Sequence, residues 1–393
     1  MLEVFANMKW GLRRRLLFVF IATGAALGFA ELVLCLGGYG APGERPDPFR
    51  GYSSHHPVFV KGDRVGGSWQ VSTSDFSTGM RPQGFSHPKP TDTARVFLIG
   101  GSSVAGLYLR KHQTLSRQLG SGLSKHHADL DVEVINAGRE GKSSHTVLKL
   151  LDEVLRYEPD LLVFYLGHND WPNSRWDAEF IDPGLGTRLR MGLDQSRIYV
   201  GLRSLIQSGG ASEVPPAFDT PPGGELGRGE LGAVERRFEE NMEAVLERAA
   251  AAGVQVVLCT VISNPYSPPA DCGPNGAPDG RENEACQHFV SGMRLDEASD
   301  PLASMELKMA VQKDSIPVRA WDDLNEVLRT LSARHDTTLV DLVQVMDGGF
   351  ETVRGQPLFV DDLHPNAVGN QRIAEAIATR VFEEGLLQAE AAP

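Results

Sequence analysis

From residue 95 onward the chain alternates short apolar runs with segments of helical periodicity, and this alternation limits the folds open to it. The runs are rich in Val, Ile, Leu and Phe and have strand length, so we predict strands buried on both faces. Strand and helix repeated five times is the pattern of an open parallel sheet covered on both faces. The predicted strands are 95–99, 132–136, 160–166, 254–262 and 337–342, and the predicted helices include 114–127, 143–157, 230–252, 301–313 and 318–335.

Four polar motifs follow or lie near these strand ends, where open parallel sheets gather their functional residues. The first carries Ser102 behind Gly100-Gly101, and a serine hydroxyl becomes a nucleophile only beside a base. Ser103 is the alternative nucleophile, but the spacing to Gly106 favours Ser102. Taken alone, this motif also fits a plain turn from a strand into a helix.

The second and third motifs contain Gly141 and Asn169. A glycine lets a backbone N–H approach a reacting oxygen closely, and an asparagine amide adds an uncharged donor. Together with the N–H of Ser102 they would form an oxyanion hole. Each also fits a turn or a helix cap, and we interpret the neighbouring His168 as loop packing.

The fourth motif places Asp361 three residues before His364, with Pro365 opening the last helix. A carboxylate at this spacing accepts from the ring N–H and fixes the tautomer whose other nitrogen faces the serine. Asp362 is the alternative carboxylate, although an adjacent residue points in a different direction.

In this order, the motifs resemble those of the SGNH (GDSL-type) hydrolase superfamily. One departure is Gly101, which stands where the family has its name-giving Asp; that Asp is not the acid of the triad. The matching blocks are 99–102 with Gly106, 136–141, 167–170 and 361–364, and the resemblance covers roughly residues 95–170 and 337–385.

The resemblance implies a flavodoxin-like three-layer α/β/α sandwich with a five-stranded parallel sheet. It also implies a serine ester hydrolase with Ser102, His364 and Asp361 as triad and no metal or organic cofactor. The substrate would be an ester or an acylated glycan of the cell envelope. An O-acyltransferase would use the same residues with a sugar hydroxyl in place of water, and a non-catalytic binding domain is the alternative outside enzymes.

The N-terminus carries an apolar segment, residues 16–38, behind a basic tail, residues 1–15. The segment matches the hydrocarbon thickness of a bilayer, and flanking positive charge stays cytoplasmic. We therefore predict a single membrane anchor with the following domain outside the cytoplasm, an arrangement similar to bacterial envelope members of the family. The alternative is a cleaved signal peptide, because Gly28-Phe29-Ala30 resembles a cleavage site.

Residues 39–94 are predicted to be a tether leading into a short hairpin with its turn at Gly62, and residues 95–393 the hydrolase domain. Insertions at about 171–230 and 263–335 are expected to lie over the active-site edge as a cap or lid.

Charge and cysteine content narrow the remaining possibilities. A net charge of −13 with no basic tract beyond the N-terminal tail argues against nucleic acid as a partner. The four cysteines contain no C-x-x-C pair and so give no metal signature. Cys272 and Cys286 bracket a loop that a bond between them would close into a short ring, whereas Cys259 fits a buried core thiol.

Overall fold

The computed structural model describes residues 10–39, 57–74, 79–174, 177, 184–207, 228–270, 272, 283–350 and 358–387. The chain forms two compact units. The N-terminal unit comprises Met1–His56 and Asp182–Val214, and the main unit comprises Pro57–Ile181 and Pro215–Pro393.

The described residues form the following strands and helices. The strands are β1 (Phe59–Val65), β2 (Ser68–Thr73), β3 (Gly84–His87), β4 (Thr93–Gly100), β5 (Asp131–Gly138), β6 (Leu161–Tyr165), β7 (Gln255–Cys259) and β8 (Thr338–Val340). The α-helices are α1 (Trp10–Leu36), α2 (Ser102–Ala105), α3 (Leu115–His126), α4 (Ser144–Val154), α5 (Leu185–Leu193), α6 (Arg197–Gln207), α7 (Arg228–Ala251), α8 (Glu284–Glu297), α9 (Ala303–Lys313), α10 (Asp322–His335), α11 (Leu342–Phe350) and α12 (Ala367–Glu383).

The main unit is built on a five-stranded parallel sheet of order β5-β4-β6-β7-β8. This is the flavodoxin-like order, in which the chain reverses direction across the sheet after its first strand. β4 and β6 are buried along their whole length, as the continuous apolar runs predict. All five predicted strands and the predicted fold class are confirmed.

Helices cover this sheet on both faces. α3 packs against α12 in one layer, and α7 packs against α4 and α10 in the other. Their apolar faces join the strands in one continuous hydrophobic core. α10 falls in the predicted insertion 263–335, so part of that insertion belongs to the covering of the sheet.

A second, antiparallel sheet of order β1-β2-β3 precedes the parallel one. The turn between β1 and β2 uses Gly66 and Gly67, both at positive φ, whereas Gly62 lies at an irregularity within β1. The prediction of a turn at Gly62 is therefore wrong, because two adjacent glycines accommodate the left-handed backbone of a tight turn more readily. Part of the predicted tether, residues 40–56, lies outside the described residues.

Arg95 connects the two sheets from a fully buried position. Its guanidinium donates to the carbonyls of Tyr157 (2.9 Å) and Ser86 (2.7 Å) and to the Glu133 carboxylate (2.7 Å). It also lies over the ring of Phe85. A buried cation is stable only when it is fully paired, and these contacts pair it.

The cysteines of the main unit take two forms. Cys272 and Cys286 form a disulfide that holds the first turn of α8 to the preceding loop, and Cys259 is a buried free thiol at the end of β7. This disulfide restricts the conformations of the unfolded chain by closing a short loop, because its two cysteines are 14 residues apart.

The N-terminal unit contains α1, α5 and α6. Within α1, the 26 residues Gly11–Leu36 are long and apolar enough to cross a membrane. The helix begins at Trp10, earlier than the predicted segment, and ends at Leu36. The predicted insertion 171–230 contains α5 and α6, while its residues 208–227 lie outside the described part of the chain.

We predict that Arg95→Ala lowers the free energy of unfolding by about 3 kcal/mol, because two carbonyls and a carboxylate lose their buried partner. Urea unfolding followed by circular dichroism measures the change. The matched control is Arg64→Ala, since Arg64 is exposed; it should change stability by no more than about 0.5 kcal/mol. Equal stability of the two variants would contradict the role given to Arg95.

Candidate active site

Ser102 occupies the first position of α2, directly after β4 and the N-cap residue Gly101. The turn is tight because β4 and β6 approach closely: a Cβ at Gly100 would lie 2.1 Å from the carbonyl oxygen of Tyr165. The chain consequently passes from strand to helix without a loop. This places the buried Ser102 hydroxyl at the carboxyl edge of the sheet.

His364 reaches Ser102 from the far end of the chain. Its Nε2 lies 2.7 Å from Oγ of Ser102, and its Nδ1 lies 2.7 Å from Oδ2 and 2.9 Å from Oδ1 of Asp361. The three side chains thus form one hydrogen-bonded line. With Nδ1 donating to the carboxylate, Nε2 is left to accept the serine proton.

Asp361 is held by its own turn. Its Oδ1 accepts the backbone N–H of Leu363 (3.0 Å) and of His364 (2.8 Å). Partial burial opposes the charged form, but these two donors and the His364 ring outweigh it and hold the pKa of Asp361 below its usual value. The carboxylate therefore stays ionised opposite the imidazole at neutral pH.

The two alternative residues have other partners. Oγ of Ser103 donates to the carbonyl of Leu363 at 3.2 Å, and a carboxylate oxygen of Asp362 bonds to the Ser267 hydroxyl. The structure therefore brings Ser102 and Asp361 to His364 through their side chains, and it directs Ser103 and Asp362 elsewhere.

Gly141 and Asn169 come from the loops after β5 and β6, next to the serine turn. Gly141 has φ +65°, a left-handed conformation that favours glycine. Nδ2 of Asn169 donates to the carbonyl of Lys142 (3.1 Å), and Nδ2 of Asn173 donates to the carbonyl of Gly141 (2.7 Å). These bonds tie the two loops to each other.

Gly101 leaves the space that the Asn169 amide fills. A Cβ at position 101 would lie 2.5 Å from Nδ2 of Asn169, closer than any side-chain carbon lies to such an atom. The backbone at Gly101 is extended and would suit other residues, but a larger residue here would displace the Asn169 amide from its present position. The residue that departs from the family pattern is thus matched to the neighbouring amide.

Asp170 fixes the asparagine segment from behind. It is buried and accepts the Ser144 hydroxyl at 2.5 Å and the Ser144 N–H at 3.1 Å, which joins the loop after β6 to the start of α4. The Ser144 hydroxyl in turn accepts from Asn241 at 2.9 Å. Burial, reinforced by the nearby Asp177 and opposed by the bonds from Ser144, raises the pKa of Asp170 to about 7.

His168 is buried and bonds to the backbone of a neighbouring loop. Its Nδ1 accepts the backbone N–H of Ala320 at 3.0 Å. Burial first, and then repulsion from His364 and Arg319, lowers the pKa of His168 to about 3, so the ring is neutral.

Tyr108 and Arg81 also contribute to the site, and the sequence motifs did not indicate them. The Tyr108 ring stands edge-on to the His364 ring, with centroids 5.6 Å apart, yet 68% of the residue is exposed. Tyr108 has φ +66°, which costs energy for a residue with a side chain and concentrates at functional sites. Arg81 holds this loop by donating to the carbonyls of Ala105 (2.8 Å), Gly106 and Leu109.

A cavity of about 790 Å³ lies beyond the carboxyl end of β7. Apolar residues such as Ile262 and Leu307 line it together with Tyr266 and Arg329, while Ser102 and His364 do not. The loop after β7, which contributes Tyr266 to the cavity wall, contacts the loop that carries His364. Nδ2 of Asn264 donates to the carbonyl of Asp361 at 3.1 Å.

Comparison of the sequence with known protein families gives a match. The sequence model of the GDSL-like lipase/acylhydrolase family matches residues 98–295, a span that includes Ser102, Gly141 and Asn169. Among curated proteins, none matches the sequence.

Several solved structures resemble the chain at low sequence identity. The acetyl xylan esterase AlAXEase is 15% identical, with 73% of this chain and 99% of that chain covered and a TM-score of 0.39. The lipase/acylhydrolase from Enterococcus faecalis is 18% identical, with 76% and 100% covered and a TM-score of 0.39. TesA is 19% identical, with 75% and 99% covered and a TM-score of 0.38.

The parallel sheet has the flavodoxin-like order, and Ser102 follows its first strand at the carboxyl edge where such sheets gather functional residues. This chain belongs to the GDSL-like lipase/acylhydrolase family and is a carboxylic ester hydrolase.

We predict that Gly101→Ala lowers kcat for a short-chain aryl ester by about a hundredfold, because the added carbon displaces the Asn169 amide from the serine turn. The control is Gly232→Ala in α7, where the added carbon meets its nearest neighbour at 3.6 Å. That variant should retain full activity. An unchanged kcat in Gly101→Ala would show that catalysis does not depend on the present position of the Asn169 amide.

Proposed function

We propose that the protein cleaves esters through an acyl-enzyme on Ser102, with His364 as general base and acid and Asp361 as the residue that orients it. The observation that carries the proposal is the line of hydrogen bonds from Asp361 through His364 to Ser102, with both end contacts at 2.7 Å. Such a line gives a serine the neighbouring base that its reactivity requires.

The reaction proceeds in two halves. Nε2 of His364 takes the proton of Ser102 as Oγ attacks the ester carbonyl, and the same nitrogen then protonates the departing alcohol. A water molecule, deprotonated by His364, attacks the acyl-enzyme and releases the acid. Asp361, ionised throughout, stabilises the imidazolium that forms at each step.

The negative oxygen of each tetrahedral intermediate would face three donors: the N–H groups of Ser102 and Gly141 and Nδ2 of Asn169. The conformation of Gly141, the contact of Gly101 with Asn169 and the bonds between their loops support this assignment. Fixed donors of this kind stabilise developing charge without reorganisation.

We further propose that the substrate is an ester of the cell envelope, with an acylated glycan as the favoured type. Tyr108 supports this choice, because its exposed ring stands beside His364 and offers an aromatic surface to the alcohol portion of a substrate.

The same proposal places α1 across the membrane, with its basic start in the cytoplasm and the main unit outside. Arg13, Arg14 and Arg15 stand at the start of the apolar span. The disulfide between Cys272 and Cys286 suits an oxidising compartment. Three hydrogen bonds from α6 and the residue before it to Glu31 favour an uncleaved helix.

Ser102→Ala is expected to abolish turnover of a short-chain aryl ester, because no nucleophile remains. Asn169→Ala should retain a weak activity, reduced about a hundred- to a thousandfold by the loss of one donor. Ser103→Ala is the matched control and should keep most of the activity, since this hydroxyl bonds to Leu363. Full activity in Ser102→Ala would refute the proposed nucleophile.

The acyl acceptor is tested by product analysis with an acetylated oligosaccharide in the presence of an unmodified one. We expect free acid, because water reaches the acyl-enzyme. Transfer of the acyl group to a sugar hydroxyl would instead make the protein an O-acyltransferase. Failure of a fluorophosphonate probe to label Ser102 in the folded protein would favour a non-catalytic binding domain.

A further inference from the structure

The two helices of the first insertion each expose leucines. On α5, Leu185, Leu189 and Leu193 follow one another at intervals of four residues, so they share one face. On α6, Leu202 and Leu205 are three residues apart and also share a face. All five are exposed, from 49% at Leu193 to 75% at Leu185, and we call these five side chains the leucine surface. A cluster of this kind marks an interaction site more often than single exposed leucines do.

The charge around the leucine surface is positive, although the whole chain is acidic. Residues 184–207 contain four arginines and one aspartate, whereas the chain carries a net charge of −13. By helical periodicity, Arg188 and Arg190 lie on opposite flanks of the leucine row of α5. An arginine in this position covers apolar surface with its stem while its guanidinium reaches a polar boundary.

α6 begins at the carboxylate of Glu31, a residue within α1. This carboxylate accepts the N–H groups of Arg197 and Ile198 (3.1 Å) and the hydroxyl of Ser196 (3.1 Å). A negative charge at the start of a helix satisfies unpaired N–H groups and the helix dipole. The Arg197 guanidinium also donates to the carbonyl of Tyr39, just past the end of α1.

These contacts set the depth of α6 along α1. Glu31 lies five residues before Leu36, or about 8 Å from the end of the helix at 1.5 Å per residue. If α1 spans a bilayer, this level is the boundary between acyl chains and headgroups. Amphipathic helices with arginines beside a leucine face bind at that depth.

We propose that α5 and α6 form an interfacial membrane element, whose leucine surface inserts into an anionic phospholipid surface beside the α1 span. The inference rests on the proposed membrane anchor. The lipid is identified as the occupant by two features: α6 is bonded directly to the spanning helix, and the arginines complement the negative headgroups. The element interrupts the sequence of the main unit between β6 and α7.

The test uses the full chain in vesicles and a fluorophore on single thiols. Native Cys35 on α1 is exposed, whereas Cys259 is buried and Cys272 is bonded to Cys286, so Cys35 can be labelled alone. For the insertion, Leu189→Cys and Leu185→Cys are each labelled in a Cys35→Ser background. Met191→Cys, on the opposite face of α5, is the matched control.

Lipids with brominated acyl chains quench only fluorophores that reach them. We expect the labels at positions 189 and 185 to lose about half of their fluorescence in brominated vesicles, and the label at 191 to lose little. Replacing anionic by zwitterionic lipid should weaken quenching at 189 more than at 35. Equal weak quenching at 189, 185 and 191, with Cys35 quenched, would overturn the interfacial element and leave the anchor intact.

Two further outcomes separate the remaining explanations. Unquenched Cys35 together with release of the protein by alkaline carbonate would refute the anchor itself. Protection of position 189 from iodide in water, without quenching by brominated lipid, would mean that protein covers the leucine surface, and it would overturn the assignment to lipid.

Discussion

At the carboxyl edge of the main sheet, the backbones approach so closely that side chains are excluded. A Cβ at Gly100 would meet the carbonyl of Tyr165 at 2.1 Å, and one at Gly138 would meet the N–H of Ala105 at 2.4 Å. This contact lets α2 begin directly over the strand ends, and it brings the loops after β5 and β6 against the serine turn. The arrangement of Ser102, Gly141 and Asn169 follows from backbone packing before any side chain contributes.

Two carboxylates, Asp361 and Asp170, stabilise the site in different ways. Asp361 remains ionised because its own turn supplies two N–H donors in addition to the imidazole. Burial raises the pKa of Asp170, which lies deeper in the protein. Its hydrogen bonds with Ser144 connect the asparagine loop to α4. One carboxylate therefore acts through its charge and the other through its hydrogen bonds.

The sequence predicted the parallel sheet well, because strands buried on both faces leave continuous apolar runs such as those of β4 and β6. It also singled out the residues that meet at the sheet edge, since the motifs follow those runs directly. It did not indicate Arg81 or Tyr108, whose roles depend on a carbonyl cluster and a ring contact that no local pattern encodes. The association of α6 with Glu31 was hidden for the same reason: its two partners are about 165 residues apart.

The close contact between Gly101 and the Asn169 amide makes these two positions interdependent in this chain. An aspartate at 101 could be accommodated only if the Asn169 amide moved or a smaller residue replaced Asn169. A change at one position therefore alters which residues the other can accept. The small residue before the nucleophile therefore helps to determine where the asparagine loop can hold its amide.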